Sequence, residues 1–348
     1  MRALAWLAIG MTWLASAGAA AASRLDAPWP TGAALEDVRV ESVRFPSHSP
    51  FAIADVGAGG ERDPATEAIG MLFLPPGADA ADPVPAAVLL HGAGGVRSSR
   101  ELTYGRQLAT MGIAALVIDV FASRRDRATG FVERLLEITE SMALADAYAA
   151  LRWFETRPEI DSSRVVLMGF SYGGMTATYA AYRQVAERFA PDGARFAGHV
   201  AFYGPCIARF EDPTTTGAPV LMLFGELDEI TVQARCVEIA ADLRRGGSQV
   251  TRIVYPGAYH QWDGGRGPWR APRGLKDCAL RVETDGDVRD TRTLLPMIGP
   301  ISRRVILGLC SDSEGYLIAA DDQVRARSNL DLGRFLAEVL AQPPAGGA

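Results

Sequence analysis

The stretch Val165-Val166-Leu167-Met168-Gly169-Phe170-Ser171-Tyr172-Gly173-Gly174 constrains this chain more than any other. It reads as an apolar strand, a G-x-S-x-G corner and the start of an alanine-rich helix. A serine at so sharp a strand-to-helix turn is presented at the top of a sheet only if its neighbours are small. Gly169 and Gly173 meet that need, because neither places a Cβ in the path of the crossing backbone. The helix that follows directs its positive end at the same point.

The same alternation runs through most of the sequence. Strands are expected near Val38 to Phe45, at Ala68 to Leu74, Ala86 to Leu90, Ile113 to Ile118, Gly198 to Phe202, Val220 to Phe224 and Val250 to Tyr255. Helices are expected over Ser98 to Met111, Phe131 to Arg157, Gly174 to Phe189, Val232 to Leu243 and Leu330 to Leu340. Strand and helix in strict turn imply right-handed crossovers and a mostly parallel sheet, hence an α/β three-layer sandwich. No Gly/Ser/Pro linker divides the repeating units, so residues 23–348 are expected to form a single domain. The stretch from Asp263 to Glu314 breaks the rhythm with glycines, prolines and charges. It reads as an irregular insert, with Arg303 to Leu309 as a candidate edge strand.

Met1-Arg2, an apolar run from Ala3 to Leu14 and the Ala15-Ser16-Ala17 cluster have the layout of a secretory signal peptide over residues 1–22. That predicts a periplasmic or secreted protein. No second apolar run approaches about 18 residues, so no stable membrane insertion is expected after cleavage. The net charge of −6 and the absence of a long basic run argue against nucleic acid as a partner. The four cysteines, Cys206, Cys236, Cys278 and Cys310, are an even set for an oxidising compartment and allow three pairings. The sequential pattern, Cys206 with Cys236 and Cys278 with Cys310, is preferred because each bond joins elements close in sequence. The second would close a loop that brackets the later part of the insert. No C-x-x-C occurs and the histidines are scattered, so no metal is expected, and nothing calls for a cofactor.

A serine hydroxyl is a weak nucleophile until a base takes its proton, and that base must be held in one tautomer by a carboxylate. Beyond Ser171, the strand ending at Phe224 is followed by Gly225-Glu226-Leu227-Asp228-Glu229, and the one ending at Tyr255 by Pro256-Gly257-Ala258-Tyr259-His260. Asp228 is the favoured acid and His260 the favoured base. Glu226 and Glu229 are the acid's near competitors, and Asp263 reads as a surface or insert contact. The backbone N–H of Tyr172 is one candidate donor to a developing oxyanion. The loop His91-Gly92-Ala93-Gly94-Gly95 offers the other, at Ala93 ahead of Gly92, with His91 in a structural role. Tyr172, Phe121, Phe202 and Trp262 are candidate lining for a cleft, and Trp262 a candidate substrate contact.

Together these residues resemble the dienelactone hydrolase family of the α/β-hydrolases. The resemblance rests on H-G-A-G-G at His91 to Gly95, V-I-D-V-F-x-S-R at Val117 to Arg124, G-F-S-Y-G-G at Gly169 to Gly174, F-Y-G at Phe202 to Gly204, G-E-L-D at Gly225 to Asp228 and Y-P-G-A-Y-H at Tyr255 to His260. It implies an esterase with the triad Ser171, Asp228 and His260, acting on a small-molecule ester without a cofactor. Two departures stand out. Family members that cleave dienelactones carry a cysteine where this chain has Ser171, and a glutamate where it has Gly92. An arginine after the Asp119 strand binds substrate carboxylate in those relatives, which makes Arg124, or Arg125, a candidate substrate contact. Secreted relatives with a similar Tyr-Gly-x-Cys strand end support pairing Cys206 with Cys236. The rival readings are a small peptidase or amidase of the same fold, and a non-catalytic periplasmic binding protein. The oligomeric state is open.

Overall fold

The computed structural model describes residues 24–341 apart from 36, 37 and 266. The expected signal peptide and its cleavage point lie outside the described residues. The strands β1 (Arg39–His48), β2 (Ala65–Leu74), β3 (Val84–Leu90), β4 (Ala114–Ile118), β5 (Ile160–Phe170) and β6 (Gly198–Phe202) are followed by a short β7 (Ala208–Phe210), then β8 (Val220–Gly225) and β9 (Val250–Tyr255). All but β7 form one eight-stranded sheet in the order β1-β2-β4-β3-β5-β6-β8-β9. β1 and β2 enter antiparallel, and from β4 to β9 every pairing is parallel.

Period-two alternation sends the side chains to two cores. Val88, Leu90, Leu116, Ile118, Val165 and Leu167 face one side of the sheet, and Leu89, Val117, Val166 and Met168 face the other. Both sets are buried, as a parallel sheet covered on both faces requires. Five helices come first in the chain: α1 (Glu101–Thr110), α2 (Phe131–Glu137), α3 (Glu140–Phe154), α4 (Tyr172–Tyr179) and α5 (Arg183–Phe189). They are followed by α6 (Gln233–Arg245), α7 (Pro300–Cys310) and α8 (Asp322–Ala341). The apolar faces of α3 to α6 pack on the first side and those of α1 and α8 on the second, which completes the three-layer α/β sandwich.

Three expected elements differ. The helix expected over Phe131 to Arg157 is two helices, because Ile138 and Thr139 are extended. Tertiary bonds hold that break: the Tyr172 hydroxyl donates to the Ile138 carbonyl at 3.0 Å and the Thr139 hydroxyl to that of Phe51 at 2.8 Å. The helix expected over Gly174 to Phe189 is likewise divided at Tyr182, where Arg183 N–H leaves the helix to donate to the Thr214 carbonyl at 2.9 Å. The candidate edge strand at Arg303 to Leu309 is α7. Pro300 occupies its first turn, and the Ser302 hydroxyl accepts the Ile298 and Gly299 N–H groups at 2.9 and 3.1 Å. Its buried residues Arg303, Ile306 and Cys310 follow helical spacing.

The irregular stretch after His260 builds two small sheets from three-residue strands. β10 (Trp269–Ala271) pairs with β13 (Tyr316–Ile318), and β11 (Leu280–Val282) lies between β12 (Val288–Asp290) and β7. Both disulfides take the sequential pairing. Cys206–Cys236 joins the loop after β6 to α6, and Cys278–Cys310 joins the turn before β11 to the end of α7, with Cα separations of 5.2 and 4.8 Å. Among the described residues no helix is long and apolar enough to cross a membrane.

Candidate active site

Ser171 sits between β5 and α4 with φ 52° and ψ −110°, a backbone conformation that a non-glycine residue adopts only when its surroundings impose it. Its N–H donates to the Phe202 carbonyl at 2.9 Å. The flanking glycines make the corner possible. A Cβ on Gly169 would lie 2.0 Å from the Gly173 carbonyl oxygen, and one on Gly173 would lie 2.3 Å from that of Leu90.

The loops after β8 and β9 bring the other two groups to this point. Ser171 Oγ is 2.9 Å from His260 Nε2, and His260 Nδ1 is 2.7 Å from Asp228 Oδ2. Asp228 Oδ1 accepts the Ile230 N–H at 3.1 Å, so the carboxylate is held at both oxygens. With Nδ1–H committed to Asp228, Nε2 presents its lone pair to the serine hydroxyl. The competing acids are turned elsewhere: Glu226 accepts the Gly257 N–H at 2.8 Å, and Glu229 pairs with Arg270 at 3.0 Å and accepts the Leu317 N–H. Serine, base and acid are all buried. The Tyr316 ring, on β13, stands edge-on to His260 with centroids 5.1 Å apart, and burial raises its phenol to about 12.

Tyr172 is the first residue of α4, where backbone N–H groups have no acceptor within the helix. Its ring lies in the core. Ala93 occupies the turn closed by Gly95 N–H on the Gly92 carbonyl at 2.9 Å. That loop presses on the nucleophile, since a Cβ on Gly92 would be 3.5 Å from Ser171 Cβ and 3.2 Å from Arg100 Nη2. His91 Nδ1 donates to the Gly92 carbonyl at 2.7 Å, and burial lowers its pKa, so a neutral imidazole braces the loop.

Of the candidate substrate contacts, Arg125 lines a cavity beside Gly94, whereas Arg124 and Trp262 are engaged inside the fold. Arg124 is buried in a two-pronged ion pair with Asp146, at 2.6 and 2.9 Å, and also donates to Ser49 Oγ and the His48 carbonyl. Its guanidinium is a structural cross-link between the end of β1 and α3. Trp262 is wholly buried, with its indole N–H on Ser328 Oγ at 3.1 Å and its ring edge-on to Tyr203 and Tyr255. Phe202 is equally buried, which leaves Phe121 as the aromatic that lines a cavity. This cavity of about 380 Å³ is walled by Gly94, Gly95, Asp119, Phe121, Arg125 and Arg134, among others. Arg134 lies over the Phe121 ring at 5.1 Å, and its buried Nε has no hydrogen-bond partner among the described residues.

Asp263 is not a surface residue. It is buried and accepts the Tyr203 hydroxyl at 2.5 Å, while the Tyr203 ring lies 4.8 Å from the His260 ring. Burial raises the Asp263 carboxyl, with the charge of Arg100 and the Tyr203 hydrogen bond pulling the other way. Arg100 is itself fully buried and paired with Glu101 at 2.6 Å. Sequence reasoning missed Arg100 and Tyr203. The available signal was a charged pair, Arg100-Glu101, entering a helix expected to bury one face. Among the described residues one trio of acids, Glu283, Asp285 and Asp287, is close enough to hold a cation, but Glu283 is taken by Arg281 and Arg289 at 2.9 Å each.

A parallel sheet that presents a serine at a strained corner, backed by histidine and aspartate from two later strand ends, defines a Ser-His-Asp enzyme of the α/β-hydrolase class, and the geometry fits ester-hydrolase chemistry. The chain belongs to the dienelactone hydrolase family, whose model matches residues 70–266. Among solved structures it is similar to the dienelactone hydrolase-like promiscuous phosphotriesterase P91 from metagenomic libraries. Identity is 19%, the TM-score is 0.53, and 87% of this chain and 98% of that one are covered. It is also similar to MGS-M1, an alpha/beta hydrolase from a Medee basin deep-sea metagenome library, at 14% identity and a TM-score of 0.51 over 88% and 99% of the two chains. At these identities the likeness concerns the fold. No curated protein matches the chain.

Proposed function

We propose that this protein is an exported serine esterase that cleaves small carboxylic esters through an acyl-enzyme. The observation that carries the reading is the continuous relay from Ser171 Oγ to His260 at 2.9 Å and on to Asp228 at 2.7 Å. His260 Nε2 takes the hydroxyl proton as Oγ attacks the ester carbonyl. The N–H groups of Tyr172 and Ala93 receive the charge that develops on the carbonyl oxygen. The imidazolium returns its proton to the departing alkoxide, leaving an acyl-serine and a free alcohol. Water then attacks the acyl group with His260 again as base, and collapse of the second intermediate returns the proton to Oγ and releases the acid.

Export is inferred from the leader-like residues 1–22 and fits the two disulfides. The cavity beside Gly94 supports a substrate with a negatively charged group, because two cations, Arg125 and Arg134, line it against the single carboxylate of Asp119. The test is a panel of nitrophenyl esters, neutral and carboxylate-bearing, with the wild type and Ser171→Ala. Conversion to alanine should lower kcat by about 10⁴-fold or more on every ester cleaved. Carboxylate-bearing esters should show the higher kcat/KM. Full turnover by the alanine variant would remove the serine mechanism, and a uniform preference for neutral esters would remove the anionic substrate class.

A further inference from the structure

The segment from Thr291 to Cys310 is built inside out. An ordinary surface helix turns its polar side to water. On α7 the exposed positions are Ile301, Arg304, Val305, Gly308 and Leu309, spaced so that they share one face, while Arg303 is buried and paired with Glu140 at 2.9 Å. Ile301 is 83% exposed and Ile298, just before the helix, is 72% exposed. The preceding turn adds Leu294 and Leu295. Leu294 has φ 60°, an unfavourable conformation for a bulky residue, and its side chain is nevertheless in solvent. The turn is tightly made: Asp290 accepts the Thr293 N–H and hydroxyl at 2.8 and 2.7 Å, and its carbonyl accepts the Leu294 N–H at 2.9 Å. The leucines are therefore held outward by a defined turn. Neighbouring α2, tied to α7 by Arg303 Nε on the Leu135 carbonyl at 2.8 Å, adds the exposed Phe131 and Val132. Scattered exposed apolar residues need no explanation, but six on one turn and one helix face make a contiguous interaction surface.

Charge identifies the occupant. Residues 291–310 contain three arginines and no acidic residue, in a chain whose net charge is −6. Arg303 is neutralised by Glu140 and Arg292 stands beside the buried Asp290 carboxylate, while Arg292 and Arg304 both remain exposed, at the edge and within the apolar face. On α2, Glu133 is turned back to its own helix start, where it accepts the Gly130 N–H at 3.1 Å. Leucine and isoleucine on a face with basic edges are what an interfacial helix presents to a lipid headgroup layer. A second copy of this chain fits less well, since a twofold interface on this patch would gather Arg292 and Arg304 from both copies with no acidic residue of the 291–310 segment to face them.

We infer that the Leu294–Leu295 turn and the exposed face of α7 form a docking surface for an anionic lipid bilayer, on which the protein rests peripherally. The surface lies beside α2, whose Arg134 lines the cavity next to Gly94, so docking places the mouth of that cavity close to the lipid. The inference does not depend on the esterase reading and is tested without measuring activity.

The test is flotation of the purified wild type with vesicles of phosphatidylcholine alone and of phosphatidylcholine containing about 30% phosphatidylglycerol. Wild type should float with the anionic vesicles at least tenfold more than with the neutral ones, and less when salt rises to about 0.5 M. The triple variant Ile301→Ser, Val305→Ser and Leu309→Ser should lose at least tenfold of this partitioning, and Arg292→Ala and Arg304→Ala roughly five-fold each. Melting followed by circular dichroism verifies that each variant is folded, which exposed positions should allow. Folded wild type that fails to float with either vesicle overturns the inference, as does a folded triple variant that floats like wild type. A wild-type dimer that the triple variant converts to monomer, without vesicle binding, assigns the surface instead to a second copy.

Discussion

The body that carries Ser171 and the insert that follows His260 are held together by different means. In the body, strands such as Val84–Leu90 and Val220–Gly225 are apolar throughout their buried length, and helices cover both faces. Buried charges in it are paired, as Arg124 is with Asp146, Arg100 with Glu101 and Asp242 with Arg209. The insert has three-residue strands, exposed ion pairs such as Lys276 with Glu314, a disulfide, and isoleucines and leucines left in water. A serine held at φ 52° needs surroundings that cannot relax, and only the first kind of construction supplies them. Just past the insert, Tyr316 meets His260 and the Ala319 N–H donates to the His260 carbonyl at 3.3 Å.

The largest effect should come from breaking a charge pair inside the body. Asp146→Ala leaves the Arg124 guanidinium buried without its counter-charge, which should cost about 3 to 5 kcal/mol of stability. Denaturant midpoints check this, and the variant's KM for esters should not move while it remains folded. A raised KM with unchanged stability would restore Arg124 as a substrate contact. Removing the insert's tie should have a more local result. Cys278→Ala with Cys310→Ala releases a loop spanning 32 residues, worth about 3 to 4 kcal/mol in the chain-entropy account. Limited proteolysis should then cut between residues 264 and 318, with ester turnover within a few-fold of wild type. Loss of turnover in step with cutting would mean that the two regions are one cooperative unit.

A smaller effect concerns pH. His199 lies buried in β6, and desolvation lowers its pKa from 6.5 to about 3. Between those values the unfolded chain binds a proton that the fold does not. The stabilisation is therefore complete above the unfolded value and is lost as pH falls toward the folded one, at up to about 1.4 kcal/mol per pH unit. Urea midpoints between about pH 6.5 and 4.5 should show this slope, and His199→Leu should flatten it. An unchanged slope in the leucine variant would place the acid sensitivity elsewhere, for example at His91, whose pKa burial also lowers.

The two regions were also unequally legible. Ser171, Asp228 and His260 could be read because each follows directly on an apolar run, so the end of a strand marks the place where a catalytic group emerges. The helix breaks at Thr139 and Tyr182 could not, since apolar periodicity continues through them and the bonds that hold them come from Tyr172, Phe51 and Thr214. The stretch Arg303 to Leu309, expected as an edge strand, is helical, because Pro300 and Ser302 set a helix start. Arg100, Tyr203 and Asp263 meet from positions far apart in the chain. Local pattern cannot show that a charged side chain turns inward to a partner 60 residues away.

The central claim is that Ser171 is an activated nucleophile, and intact-protein mass after treatment with a fluorophosphonate tests it most directly. Attack by Ser171 Oγ on phosphorus forms an O–P bond and expels fluoride, while His260 takes the hydroxyl proton. Wild type should gain the mass of a single phosphonyl group, and the Ser171→Ala variant none. Folded wild type that gains no mass, or an alanine variant that still gains one, would contradict the account.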